Sequence, residues 1–206
     1  MFSGIVQTTG RIVRVDELGF GRRLAIEAPD LGLDDVAIGD SIAINGACMT
    51  VTAKTARSFS IDVSAESLSK TAGLDGLGEV NLEKAMRLGD RIDGHLVSGH
   101  VDGTGVVHAI EPHGESVLFV VEAPVELARY FAYKGSIAVN GVSLTVNRVE
   151  DIAGAGCRVW INLIPHTIAV TTLRNLKPGD RVNLEVDLIA RYVERMLAAA
   201  ELSKKA

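Results

Sequence analysis

Hydrophobic positions along the chain fall in short runs rich in β-branched residues, not in helical stripes. Ile42–Val51, Phe59–Val63, Val117–Glu122, Ser136–Val146 and Arg158–Leu163 are such runs, with Gly, Asn and Asp between them. That is the pattern of short strands punctuated by turns. Several strands of that length in about 90 residues predict a small closed barrel, because closure removes the edges that an open sheet exposes. Asn45-Gly46 and Asn140-Gly141 supply tight-turn chemistry inside two of the runs. At Pro124–Tyr133 a proline opens and Leu127, Tyr130 and Phe131 recur near helical spacing, which predicts a short helical turn. From Asp187 the period changes altogether. Leu188, Ile189, Tyr192, Val193, Met196, Leu197 and Ala200 recur at i, i+3/i+4 and i+7/i+8, with Glu194, Arg195 and Glu201 on the other side. This predicts an amphipathic helix, which either packs on its own barrel or gathers subunits.

The same pattern occurs twice. Shifted by 95 positions, Ser41–Val51 (SIAINGACMTV) falls on Ser136–Val146 (SIAVNGVSLTV), and Glu27-Ala28-Pro29 on Glu122-Ala123-Pro124. Ser3-Gly4 meets Ser98-Gly99, Val6 meets Val101, and Thr9-Gly10 meets Thr104-Gly105. An insertion near Asp151–Gly156 then widens the offset, so that Asp62-Val63 faces Asn162-Leu163. Val80-Asn81-Leu82-Glu83 likewise faces Val182-Asn183-Leu184-Glu185. A register held across separated blocks marks a tandem duplication. The chain is expected to divide into repeats at 1–95 and 96–187, followed by a helix and tail at 188–206.

Composition narrows the partners. With 206 residues, 47% hydrophobic and 23% charged, the chain reads as a globular protein able to bury two modest cores. Net charge is −5 and aromatics are 4%, which argues against nucleic acid. No apolar run approaches the ~20 residues of a membrane span. Met1–Val6 has no positive flank or apolar stretch of the signal-peptide kind, so the cytoplasm is the expected compartment. Two cysteines, Cys48 and Cys157, far apart, make neither a disulfide framework nor a zinc site.

Positions at which the repeats differ carry the candidate chemistry. Cys48 faces Ser143, Ile5 faces His100, and Phe2 faces Val97, whereas Thr50/Thr145 and Asn45/Asn140 are shared. Shared residues fit framework or common ligand contacts, and unshared ones make two related pockets chemically unequal. Gly94–Gly105 is the densest polar stretch and reads as a glycine-rich strand crossing between barrels. On a strand His95 and His100 point to opposite faces, so no metal is expected there. Ser98, His100 and Asp102 would stand in line on one face and cannot converge as a triad. His100 remains a proton-transfer candidate, because imidazole titrates near neutrality. Cys48 reads as a small core residue or a ligand-facing thiol two places from Thr50. Cys157 reads as inert, Phe2 as a cap on a barrel end, and Lys134 as solvated.

Met1–Val6 (MFSGIV), Asn45–Val51 (NGACMTV), Gly94–Asp102 (GHLVSGHVD), Asn140–Val146 (NGVSLTV) and Leu163–Thr167 (LIPHT) stand in one order and spacing. In these motifs, and over roughly residues 1–198, the chain resembles the riboflavin synthase family. The resemblance implies an all-β chain of two tandem six-stranded Greek-key barrels and a C-terminal helix that gathers three subunits. It implies dismutation of two 6,7-dimethyl-8-ribityllumazine molecules, by four-carbon transfer, to riboflavin and 5-amino-6-ribitylaminouracil, without metal or organic cofactor. One substrate would sit on each barrel, with the site between the first barrel of one subunit and the second of its neighbour. Lumazine synthase is a candidate partner.

Carried over by position, the resemblance implies ligand contacts in the first barrel from Gly4, Ile5, Val6, Cys48, Met49, Thr50, Asp62, Val63, Ser64, Ala65, Glu66 and Ser67. In the second barrel it implies Gly99, His100, Val101, Lys134, Ser143, Leu144, Thr145, Leu163, Ile164, Pro165, His166, Thr167 and Ile168. His100 would transfer protons, Cys48 would act as nucleophile or relay, Phe2 would position and shield the reacting rings, and Ser143 is the fourth catalytic candidate. Two departures stand out: Ser3 where the family commonly has Thr, and Ser64-Ala65-Glu66-Ser67-Leu68 in place of a Met-Pro-Glu-Thr-Leu-like run. The alternative is a non-catalytic antenna or carrier that binds lumazine or flavin. A flavin oxidoreductase is disfavoured, since no dinucleotide signature follows the barrels.

Overall fold

The computed structural model describes residues 1–203. The first barrel is built from β1 (Thr8–Leu18), β2 (Gly21–Glu27), β3 (Ser41–Ile44), β4 (Ala47–Lys54), β5 (Ser58–Ser64) and β6 (Gly78–Lys84). They close in the order β1-β2-β5-β4-β3-β6, all neighbours antiparallel. The second uses β7 (Gly103–His113), β8 (Ser116–Ala123), β9 (Ser136–Val139), β10 (Val142–Ile152), β11 (Gly156–Leu163) and β12 (Arg181–Val186) in the same cyclic order. In each, a three-stranded meander has the last strand returning beside its first member, which is the Greek-key arrangement.

Side chains alternate in and out as the strand period requires. Phe59, Ile61 and Val63 of β5 fill the first core, and Val159, Ile161 and Leu163 of β11 the second. Register breaks fall at matching places, between Ile12 and Arg14 and between Val107 and Ala109, then between Val51 and Ala53 and between Val146 and Arg148. Bulges of this kind bend strands enough to close so small a barrel.

Each Asn-Gly pair turns its hairpin with positive φ at both residues, 46° and 83° at Asn45-Gly46 and 47° and 78° at Asn140-Gly141. The two turns meet. A Cβ on either glycine would lie 2.7 Å from the other's backbone nitrogen, so only glycine allows the approach. Four buried asparagines bind the barrels there. Asn81 and Asn183 each donate from the side-chain amide at 2.9 Å to a carbonyl of the other repeat, Asn140 and Asn45 respectively. Their backbone N–H groups are taken by the Asn45 and Asn140 side chains of their own repeats, at 2.9 and 2.8 Å. The shared Asn45/Asn140 pair is therefore framework.

One connection departs from the sequence-based expectation, which makes Gly94–Gly105 a strand; only its last three residues form one, at the start of β7. Gly94–Asp102 is no strand. Only Val97 pairs, in an isolated bridge with Phe2. Short helices α1 (Ala65–Lys70) and α3 (Pro165–Val170) follow β5 and β11, and α2 (Val125–Ala128) occupies the expected turn after Pro124. The tail forms α4 (Leu188–Ser203); the rest of the expected tail, 204–206, lies outside the described residues. The helix is tied to its own second barrel by Arg191 to Asp102 and by Glu194 to Arg129 and the Tyr130 hydroxyl. Its apolar side stays open, with Ile189 66% and Met196 71% exposed.

Candidate functional site

The two segments that precede the barrels cross over. Residues 2–6 lie against the second barrel, where the Ser143 N–H donates to the Gly4 carbonyl at 2.7 Å and Val6 packs on the second core. Residues 97–101 lie against the first, where the Cys48 N–H donates to the Gly99 carbonyl at 2.7 Å and Val101 packs on the first core. This corrects the expected grouping. Gly4, Ile5 and Val6 share a half-site with Ser143, Leu144 and Thr145, and Gly99, His100 and Val101 share one with Cys48, Met49 and Thr50. The reason is steric and local. A Cβ on Gly4 would stand 2.6 Å from that of Ser143, and one on Gly99 2.6 Å from that of Cys48. Both glycines hold φ near +76° to +79°. Each strap therefore turns only where the opposite strand offers a free N–H.

Two buried carboxylates clamp these straps, and sequence reasoning placed neither in the site. Glu83 accepts from the Ser3 N–H and hydroxyl, both at 2.7 Å, and from the Gly4 N–H at 3.0 Å. Glu185 does the same for Ser98, at 2.6 and 2.7 Å, and for Gly99 at 3.0 Å. Burial pushes both carboxyls above the usual carboxylate range, against the pull of those donors. The matched Val-Asn-Leu-Glu blocks were the visible signal. Ser3 keeps the hydroxyl that this clamp requires, so its departure from Thr leaves the contact intact.

Phe2 is fully buried among Ala43, Val97 and Ala138, at the junction of the barrels and not at a barrel end. Its ring lies below Gly99, where a Cβ would meet it at 2.8 Å. It therefore positions the Gly99 strap. Shielding of a bound ring, the role expected for it, is not open to a side chain with no exposed surface.

Around the first half-site, Ser64 caps α1. Its hydroxyl accepts the Ser67 N–H at 3.1 Å, so the departure at Ser64-Ala65 supplies a helix start. In the second repeat Pro165 opens α3 instead. Asp62 is held by Arg23 in a two-pronged contact at 2.7 and 2.8 Å, which lowers its pKa. Its counterpart Asn162 carries no charge. Val63 and Leu163 point into the cores. Glu66, Ile164 and His166 are exposed, with Thr167 and Ile168 half-buried. Lys134 sits in the left-handed region, φ 65°, with its ammonium 5.4 Å over the Tyr133 ring.

His100, Thr50, Ile5 and Thr145 are exposed, and Cys48 and Ser143 half-buried, so both half-sites open outward. Cys157 is buried in the second core and pushed up to about 11, the inert thiol expected. Beside Ile5 a charged cavity of about 780 Å³ is lined by Ser3, Ser41, Glu83, Lys84 and Arg87 among others, and neither Cys48 nor Ser143 borders it. Among the described residues no cluster of three or more His, Cys, Asp or Glu side chains is placed to hold a metal. No helix among them is long and apolar enough to cross a membrane.

The lumazine binding domain family matches the chain twice, over residues 3–85 and 98–187. The riboflavin synthase of Photobacterium phosphoreum is 42% identical over 199 residues, covering 96% of this chain and 89% of that protein. That of Mycobacterium bovis is 43% identical over 209 residues, covering 97% and 100%. The chain belongs to the riboflavin synthase family. The Bacillus subtilis relative is 41% identical over 207 residues, 99% of this chain and 93% of its own. Of solved structures, LumP complexed with riboflavin aligns with TM-score 0.78 and 26% identity over 90% of this chain and 99% of that one. LumP complexed with 6,7-dimethyl-8-(1'-D-ribityl) lumazine aligns with TM-score 0.75 and 25% identity over the same shares. Each match to the family begins with its own strap, at Ser3 and Ser98, although each strap serves the other barrel.

Proposed function

We propose that the chain catalyses the dismutation of two 6,7-dimethyl-8-ribityllumazine molecules, one passing four carbons to the other to give riboflavin and 5-amino-6-ribitylaminouracil. Atoms and electrons balance between substrates and products, so the reaction consumes no oxidant or cofactor. The observation that carries this reading is a pair of half-sites with one fold and unequal chemistry. Cys48 with His100 stands on one barrel, and Ser143 with Ile5 on the other. Two like molecules bound to such a pair meet different groups, which a dismutation needs and a simple binder does not.

Most of the rate then comes from holding two pteridines in contact, where effective molarities reach ~10⁵ M or more. The acidic C7 methyl of one lumazine gives up a proton, and His100 serves in proton transfer. Cys48 either adds as a thiolate to the other lumazine and is expelled again before the products part, or relays a proton. Gly4–Val6, Ser143–Thr145, Lys134 and Leu163–Ile168 contact one molecule. Gly99–Val101, Cys48–Thr50 and Asp62–Ser67 contact the other. The exposed apolar side of α4 gathers three subunits, so that the first barrel of one meets the second barrel of the next. Residues 1–95, 96–187 and 188–206 are the corresponding units of the chain. The cytoplasm as compartment and lumazine synthase as partner belong to the same proposal.

Likeness to the LumP complexes favours a second reading, a binder without turnover. One experiment separates them. Purified chain is mixed with 6,7-dimethyl-8-ribityllumazine alone, without metal or nucleotide, and products are separated. Riboflavin and the pyrimidine in 1:1 ratio support the enzyme. Bound, unchanged lumazine leaves the carrier.

A further inference from the structure

One polar contact in the second half-site has no counterpart in the first. The ring of His95, on the crossing between the barrels, places Nδ1 2.7 Å from the Ser143 hydroxyl. The residue is fixed from its backbone too, since its N–H donates to the Ser3 carbonyl at 3.1 Å. Gly94 lets the crossing pass, because a Cβ there would lie 2.9 Å from that of Ser143. In the first half-site the Cys48 N–H donates to the Gly99 carbonyl, as the Ser143 N–H does to that of Gly4. Among the described residues, however, no ring hydrogen-bonds the Cys48 thiol as His95 does the Ser143 hydroxyl.

Burial lowers the His95 pKa below the ordinary imidazole value, more than the carboxylate of Asp187 raises it. The ring is therefore neutral around pH 7, with one nitrogen free to accept. Its other nitrogen, Nε2, is buried without a partner. Leaving a buried polar atom unpaired is unfavourable, because it loses its hydrogen bonds to water and gains none in return. Buried polar groups are nearly always hydrogen-bonded, so one without a partner calls for an explanation.

We propose that His95 is the positioning residue of the second half-site: its neutral ring accepts the Ser143 hydroxyl proton at Nδ1 and turns the oxygen lone pairs toward the bound lumazine. The hydroxyl then has one orientation instead of three rotors, and its oxygen gains basicity from the partner. The asymmetry between the half-sites is thus deeper than the Cys48/Ser143 exchange, since only the serine comes with a partner that sets its proton. This inference rests on the dismutation proposed above.

The test is a double-mutant cycle on the full chain, reading riboflavin formation and, separately, lumazine binding by fluorescence. His95→Ala is expected to lower kcat about 10- to 100-fold with lumazine affinity changed less than about 3-fold, as for loss of a proton-directing group. In the Ser143→Ala background the same substitution is expected to change kcat less than about 2-fold, because the group it acts through is gone. His95→Asn, whose amide reaches the place of Nδ1, is expected to recover at least half of the loss on a logarithmic scale. Should His95→Ala fail to fold, His95→Asn against Ser143→Ala carries the cycle. Equal losses in both backgrounds, or a fall in melting temperature with kcat unchanged, overturn the proposal. Absence of riboflavin from the unmutated chain sinks the dismutation reading itself, which is a separate outcome.

Discussion

The two half-sites are built alike and equipped differently. Each has a Ser-Gly strap, a buried glutamate that grips it, a backbone bond to the opposite strand and a short helix beside it. The first then offers a thiol and an imidazole, Cys48 and His100, and the second a hydroxyl and a methyl-rich side chain, Ser143 and Ile5. What was preserved is the part that holds each strap against the facing strand. What diverged are side chains on and beside the straps that reach the surface, Cys48 against Ser143 and His100 against Ile5. Asn45, Asn81, Asn140 and Asn183 keep the two halves in one mutual orientation, so divergence at four positions altered chemistry without altering geometry.

The largest effect is expected where the half-sites differ. His100→Ala and Cys48→Ala should each lower turnover by about 10² to 10⁴, the usual range for loss of an acid-base group, while lumazine binding persists. Fluorescence titration beside product analysis checks this, and a parallel loss of binding would make these residues anchors instead. Next, Phe2→Ala should destabilise by about 3–5 kcal/mol, the cost of emptying a buried aromatic site. A urea denaturation with unchanged midpoint would remove Phe2 from its positioning role.

Gly99→Ala and Gly4→Ala sharpen the comparison further. Each forces a Cβ to within 2.6 Å of the facing strand at a positive φ, with a backbone cost of roughly 1–3 kcal/mol. Calorimetry should then find one lumazine bound per chain in place of two, with Gly99→Ala sparing the Ser143 side and Gly4→Ala the Cys48 side. The reverse assignment would overturn the crossed-strap geometry. The smallest effect is electrostatic. Asp62 has its pKa lowered by Arg23, so it contributes stability above the unfolded carboxylate value, lost as pH falls through its lowered folded value. Asp62→Asn, which makes this position like Asn162, should flatten the melting temperature of the chain on the acid side. An identical pH profile in both proteins would show the pair to be silent.

Much of the barrel architecture was legible from residues alone. The β-branched runs became β3–β5 and β8–β11, and the Asn-Gly pairs became the turns that divide two of them. The helical period after Asp187 became α4, and the repeat arithmetic matched both barrels. The straps were not legible. Nothing near Gly4 says that its carbonyl bonds Ser143, 139 positions away, so the contacts carried over from the family resemblance grouped each strap with its own repeat. Glu83 and Glu185 stood in a matched block, yet a carboxylate in a strand announces solvent unless its donors are known. His95 looked idle because Gly94–Gly105 read as a strand, on which neighbouring side chains diverge. As an open crossing, the segment brings the ring to Ser143.

The exchange of straps also bears on ancestry. Excised alone, the first barrel would carry a strap whose docking strand is missing and a docking strand whose strap is missing. Two such copies satisfy each other by trading N-terminal arms, as in domain-swapped dimers. Joining the copies end to end makes that trade intramolecular, at an effective concentration that a short tether raises to the millimolar range. The present chain has the form that fusion of a swapped homodimer leaves behind. Fusion would also have released each copy to vary its own strap, a freedom that identical subunits never have.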